Sequence, residues 1–506
     1  MNLLKINIAA NFVGTLWQAL IGLIFVPVYI KFVGVESWGL IGFFATLQVL
    51  LSLLDMGLSG TLNRELARLS AIPGKEKEMR DLTRTLEILY WSVAIFVGIV
   101  VVSLSPTISK YWIKAGNLPP GSVEQSLLLM GFLLALQMPA GFYSGGLMGL
   151  QKQLPLNIIV IGISTLRAVG AIFVLWLLSP TIQAFFRWQI IISSVNTLSL
   201  GWFLWYSLPR IEGNSFFQWP LLKGIWKFAA GMSGISIFTI ILTQLDKILL
   251  SKMLSLEMFG YYMLANVVAM SPTRFFSPVF YSIYPRFTQL SSTGNQSELI
   301  LLYHKICQFM AVLILPGTIV LALFPFEILL LWTQNSVMAE NSYRLVRILV
   351  CGTAINGLLN PPYVLQLAFG WTRLSFYKNA IALILFVPCI IYLTRCYGSV
   401  GAACVWLALN LGYFLLEIPI MHRRLLPSEK WRWYLHDVSI PLFVSGLVAG
   451  AGRVLMPERM SQFMIILYLV VVLSLTLGAS ILATPMIREL LSDTIRKVSF
   501  RRNVVI

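Results

Sequence analysis

KFVGVESWG, Lys31 to Gly39, interrupts a largely apolar stretch, and KMLSLEMFG, Lys252 to Gly260, returns 221 residues later. Each reads Lys, then Glu five places on, an aromatic residue and Gly. A second pair keeps nearly the same offset. MPAGFYSGGLMGLQKQLPLN contains Pro139 and Asn157, and NPPYVLQLAFGWTRLSFYKN contains Pro361 and Asn379, both displaced by 222. Two anchors at almost one offset read as a duplicated unit. Each copy runs from a proline-broken helix through a short basic loop into the next helix.

The surroundings of these phrases set the fold class. Of 506 residues, 58% are hydrophobic and 11% charged, against about 25% charged in a soluble domain. Apolar runs of eighteen or more residues recur, each long enough to cross a hydrocarbon core of about 30 Å. The chain reads as an all-α polytopic membrane protein with about 14 transmembrane helices. They fall near 8–32, 38–60, 86–106, 125–149, 156–178, 184–208, 224–248, 258–284, 300–325, 343–369, 377–395, 400–422, 437–455 and 462–484. The first segment is too long for a signal-peptide core and is expected to remain as a span. The duplication predicts two pseudo-twofold-related six-helix lobes, 1–210 and 211–424. An additional two-helix unit, 425–484, and a basic tail, 485–506, follow.

The net charge of +17 does not imply nucleic acid. More than half of the 37 Lys and Arg fall in alternate segments, notably Arg64–Arg84, HRRLLPSEKWRW and IRKVSFRRN. That is the positive-inside pattern and predicts both termini in the cytoplasm, beside anionic membrane lipids. The five cysteines form no CxxC pair and there is no histidine cluster, so no metal or cofactor is called for.

Two parallel lobes can rock about a central crevice and open it to one face at a time. The repeated phrases then form the outer turns, placing Lys31 and Lys252 near the outer mouth. A simple interfacial turn with snorkelling lysines is the competing reading. Pro27, Pro139, Pro272, Pro278 and Pro361 fall within spans and are candidate gating points or helix breaks, with packing roles equally open. Ionisable groups deep in the membrane are candidate cargo contacts. Arg167 lies near mid-depth. Asp55 and Arg274 lie about 25 and 24 Å down equivalent helices, at 1.5 Å per residue, and are placed to pair or to face substrate. Asp246 and Lys247 end the seventh span, where snorkelling is the alternative. Neutral Gln18, Gln48, Gln137 and Asn410 are placed to line a lumen or to pack helices. A lumen whose deep charge is mostly guanidinium suits an anionic cargo.

NFVGTLWQALIGLIFVPVYIKFVGVESWGLIGFF, LLDMGLSGTLNRELARL, GLMGLQKQLPLN and TQLDKILLSKMLSLEMFGYYMLA resemble Wzx-type polysaccharide repeat-unit flippases. These belong to the multidrug/oligosaccharidyl-lipid/polysaccharide exporter superfamily. The resemblance implies a multi-pass flippase of the bacterial inner membrane. It would carry an undecaprenyl-diphosphate-linked glycan to the periplasmic leaflet for O-antigen or exopolysaccharide assembly. It also implies Asp55, Asp246 and Arg274 facing the cargo. Asp55 is placed to bind a proton or sodium ion as coupling ion, and polymerase and chain-length proteins of the same pathway are the expected partners. Among relatives, a lipid II flippase is disfavoured because the first span lacks an internal Arg–Asp pair. An ion-coupled multidrug antiporter is disfavoured because that span offers only Asn11, Thr15 and Gln18 before Lys31. A membrane polymerase or ligase would need an acidic pair and a large outer loop, and neither is present, so the chain is not expected to be an enzyme.

Overall fold

The computed structural model describes residues 3–55, 57–210, 214–490 and 492; the side chains of 3–6, 8, 9, 224–239, 275–278, 281 and 282 lie outside that description. The helices run α1 (Leu3–Leu51), α2 (Leu58–Leu69), α3 (Glu76–Tyr111), α4 (Ser122–Gly149), α5 (Gln153–Leu177), α6 (Ile182–Ser207), α7 (Trp219–Met253), α8 (Leu256–Ala269) and α9 (Phe276–Thr293). They continue with α10 (Gln296–Leu323), α11 (Pro325–Thr333), α12 (Ser336–Leu358), α13 (Asn360–Ala368), α14 (Arg373–Gly412), α15 (Ile418–Leu425), α16 (Lys430–Arg432), α17 (Ile440–Val454) and α18 (Gln462–Ala483). Among the described residues no strand forms. The chain divides into two compact units, Met1–Gly260 and Tyr261–Ile506, the cut falling within α8.

Nine helical stretches among the described residues are long and apolar enough to cross a membrane. Two of them fold back on themselves. In α1 the backbone at Gly34 takes φ 81° and ψ 163°, a conformation that glycine adopts without penalty. Tyr29 then meets Phe185 at 5.3 Å between ring centroids and Phe44 meets the adjacent Phe186 at 5.6 Å. A straight helix would separate Tyr29 from Phe44 by about 22 Å, so the two halves of α1 form a hairpin. In α14, Gly398 reverses the chain at φ 60°. There a Cβ on Gly401 would lie only 2.1 Å from the Leu393 carbonyl oxygen, eight residues earlier. Each hairpin supplies two passes where apolarity alone shows one long segment.

The repeated phrases pack on each other. A Cβ on Gly39 would lie 2.5 Å from the Leu256 carbonyl oxygen, and one on Gly260 would lie 2.3 Å from that of Val35. Gly39 corresponds to Gly260 and Val35 to Leu256 at the 221-residue offset, so these two contacts are reciprocal. The turn after α3 clamps both copies. Glu36 is buried and accepts the Gly116 and Asn117 amides, the latter at 3.0 Å. Lys114 bridges to Ser255, and its carbonyl accepts the Leu256 amide at 2.8 Å.

A second symmetry appears lower in the helices. The α1–α2 rod is broken by a 3-10 turn at Ser52–Asp55, and the α8–α9 rod by one at Ser271–Phe275. These stand at nearly the repeat offset.

In the first unit the core gathers Leu62, Leu66, Leu86, Phe142, Leu147 and Leu204. In the second it gathers Phe287, Tyr303, Leu315, Leu365, Met421 and Trp433. The predicted extra pair, α17 and α18, packs against α10 through Val320, Phe324, Ala449 and Val472. Of the expected basic tail, residues 491 and 493–506 lie outside the described residues.

Candidate functional site

Polar groups tie α1 to α5 along much of their length. Asn157 donates to Asn11 at 2.7 Å, Trp17 to Thr165 at 2.9 Å and Tyr29 to the Ala168 carbonyl at 3.3 Å. In an apolar solvent such bonds hold helices together without a hydrophobic driving force. The first-span groups Asn11 and Gln18 are thereby committed within the unit, Gln18 to its own helix at Gly14.

At the end of this seam sits Arg167. Its Nη2 donates to Ser193 at 3.3 Å, and its own carbonyl accepts the Trp188 indole at 3.1 Å. Ser193 is buried and also accepts from Gln137 at 3.1 Å, while Gln137 accepts from the exposed Gln48 at 2.7 Å. A continuous polar track thus joins α1, α4, α6 and α5. It ends on a half-buried guanidinium with no carboxylate within 4 Å among the described residues. The Arg167 Nε is buried and unpartnered. An ionised donor left short of acceptors is costly in a protein interior and favours an anion arriving from outside.

The two helix breaks carry the other two charges expected at depth, Asp55 and Arg274. Asp55 Oδ1 accepts the Ser59 amide at 3.2 Å, the Ser59 hydroxyl at 2.5 Å and the Tyr90 hydroxyl at 2.6 Å. This carboxylate fastens the break by capping α2 and gripping α3. Arg274 lies in the second break, half-buried, with Nη1 buried and without a hydrogen-bond partner. Pro272 beside it is buried.

Pro139 is buried inside α4, and Thr197 of α6 donates to the nearby Leu136 carbonyl at 2.6 Å. A neighbouring side chain thus serves the stretch that proline disrupts. Pro361 is buried where α12 gives way to α13, and Pro27 is half-buried within α1. Pro278 falls in α9, its side chain outside the described residues.

The remaining charged candidates are placed differently. Lys247 pairs with Asp246 at 3.3 Å and donates to Thr243 at 2.7 Å. Lys252 lies 4.8 Å over the Trp112 ring, and Lys31 is exposed. Among these charged candidates, as far as the described residues show, Arg167 and Arg274 are the two with a buried donor atom that lacks a hydrogen-bond partner.

Two clusters escaped sequence reasoning. Glu87 accepts from Tyr143 at 2.7 Å and Trp205 at 3.0 Å and pairs with Arg84 at 2.8 Å. His304, wholly buried, bonds Asp437 through Nδ1 and Glu429 through Nε2, and Gln308 also donates to Asp437 at 2.9 Å. Apart from the Arg84–Glu87 pair, which stands at helical i, i+3 spacing, both join residues distant in sequence.

Residues 4–291, more than half of the chain, match the family described as "Polysaccharide biosynthesis protein". The chain is 24% identical over 463 residues to the lipopolysaccharide biosynthesis protein WzxC of Escherichia coli strain K12, covering 85% of each. It is 20% identical over 378 residues to a putative O-antigen transporter of Shigella flexneri, covering 74% of this chain and 87% of that one. Among solved structures, the lipid II flippase MurJ in an inward closed conformation aligns with a TM-score of 0.66. It shares 13% identity and covers 96% of this chain and 99% of that one. An inward-facing multidrug resistance MATE transporter of the MOP superfamily aligns with a TM-score of 0.65, at 13% identity, over 80% and 96%. At such identities these structures speak for the fold alone. The chain belongs to the polysaccharide biosynthesis protein family.

Proposed function

We propose that the protein is a flippase of the bacterial inner membrane. It moves an undecaprenyl-diphosphate-linked oligosaccharide from the cytoplasmic to the periplasmic leaflet by alternating access. The observation that carries this reading is Arg167, a deep guanidinium reached by a polar track and short of acceptors. A diphosphate supplies the oxygens it lacks, and guanidinium binds such oxygens bidentately. Arg274 at the second break offers a further unsatisfied donor. The hydroxyl- and amide-bearing track of Gln48, Gln137 and Ser193 suits sugar hydroxyls.

In this reading Asp55 holds the α1–α2 break and is not the primary cargo contact. A membrane potential acting on the anionic cargo contributes about 2.3 kcal/mol per charge per 100 mV, a drive that needs no ion site in the first span. The test is to delete the gene and analyse lipid-linked glycans by leaflet. The reading predicts that a polyprenyl-diphosphate oligosaccharide accumulates on the inner leaflet and that the wild-type gene clears it. Unchanged glycans in the deletion strain would refute it.

A further inference from the structure

A cavity of about 850 Å³ opens on the first unit between α3, α4, α6 and the 214–216 linker. Its charged lining consists of Arg80, Arg84 and Glu87, with Trp91, Trp202 and Trp205 around them. Arg80 and Arg84 lie 5.2 and 5.3 Å from the Trp205 ring centroid, so one indole positions both guanidinium groups. Arg80 donates to the Pro209 carbonyl at 3.1 Å and has no ion-pair partner among the described residues, and its Nε is buried and unpartnered. The wall is preformed. Asp81 accepts the Phe216 amide at 3.1 Å and the Gln218 side chain at 2.9 Å, and Thr85 accepts the Gln218 amide at 2.9 Å. The linker is thereby pinned to α3 beside the basic segment Arg64–Arg84.

The mouth of the cavity continues into an exposed apolar stripe. Ile191, Val195, Leu198, Trp202 and Tyr206 are all exposed and recur at spacings of three and four along α6. Such spacing puts them on one helix face. Trp202 and Tyr206 stack at 5.6 Å, the aromatic pairing found where helices meet the headgroup level. The arrangement therefore has a cationic, hydrogen-bonding end and a greasy track leading from it along the helix.

We infer that this cavity holds the phosphodiester headgroup of an anionic phospholipid, with an acyl chain laid along the α6 stripe. Charge selects a phosphodiester over a diphosphate. Arg84 is paired to Glu87 and the Asp81 oxygens are taken up by the Phe216 amide and the Gln218 side chain, which leaves Arg80, without an ion-pair partner among the described residues, to meet the single negative charge of a phosphatidylglycerol-type headgroup. A prenyl diphosphate would bring two or more negative charges against Glu87. The stripe selects a lipid over a soluble phosphate, which has nothing to lay on it. The site stands apart from the cargo reading, and neither depends on the other.

The test uses the full-length protein in detergent, titrated with phosphatidylglycerol or phosphatidylcholine and followed by native mass spectrometry. One phosphatidylglycerol per chain should bind in preference to phosphatidylcholine. Arg80→Gln with Arg84→Gln should weaken that binding about tenfold or more, from the loss of charge-assisted hydrogen bonds. Arg84→Gln alone, at a side chain 48% exposed, leaves Glu87 its bonds from Tyr143 and Trp205 and should weaken lipid binding measurably. Leu198→Ser, on the stripe, should weaken the lipid complex too. Equal binding of the two lipids, or full retention by the arginine variants, would overturn the assignment. Inorganic phosphate or pyrophosphate competing at the lipid's own concentration would overturn it as well, since the site would then be one for a soluble anion.

Discussion

Arg167 spends one hydrogen bond on a neutral hydroxyl and keeps a buried Nε without an acceptor. Hydrogen bonds to charged groups contribute about 1.5–3 kcal/mol each, so Arg167→Ala should reduce glycan export about tenfold or more. The protein should still be found in the membrane at its normal level. Export assayed by surface polysaccharide, with immunoblotting for the protein, checks this. Gly39 and Gly260 answer to packing instead. An alanine at either position meets a backbone carbonyl at 2.5 or 2.3 Å, whereas a Cβ on Gly446 meets nothing within 4 Å. Gly39→Ala and Gly260→Ala should each destabilise the purified protein by about 1–3 kcal/mol, seen as a lowered melting temperature, with Gly446→Ala as the unaffected control. Arg167 and the two glycines were legible in the sequence, the first as a charge amid apolar residues and the second as a repeated phrase. The Gln48–Gln137–Ser193 track was not, because its members sit on three separate helices and each looks like an ordinary packing contact.

At the scale of helices, the duplication predicted by Pro139 and Pro361 is accompanied by something the prolines did not indicate. The first break, at Ser52–Asp55, contains no proline and is held by Asp55, Ser59 and Tyr90. A lone acid at that depth looks like a cargo contact in one dimension, since its partner Tyr90 lies 35 residues away. Glu36 is similar: it reads as a turn residue but grips the 116–117 amides across 80 residues of chain. The hairpins at Gly34 and Gly398 follow from the apolar pattern, which places a span boundary at each. The anchoring of the last two helices does not follow from it, because hydropathy carries no record of the His304, Asp437 and Glu429 cluster. Removing one partner from a buried ionic cluster typically costs about 3–5 kcal/mol. His304→Ala should therefore lower the melting temperature of the purified chain sharply, and a variant melting like wild type would show that the cluster contributes nothing to stability.

For the whole molecule, a transporter fold narrows the function less than the sign of its deep charge does. Flippases of lipid-linked glycans and exporters of drugs share this architecture, and fold alone does not separate them. In the proposed reading, the Arg167 guanidinium, short of acceptors, selects an anion, and the Gln48–Gln137–Ser193 track beside it selects a hydroxylated one. The most direct measurement reconstitutes the purified protein into liposomes. It follows a labelled polyprenyl-diphosphate oligosaccharide from one leaflet to the other, by loss of access to a lectin outside. Wild-type protein should translocate it, Arg167→Ala with Arg274→Ala should lose nearly all of that rate, and a cationic dye should not be carried. Equal rates for wild type and the double variant, or transport of the dye in place of the glycan, would contradict the account.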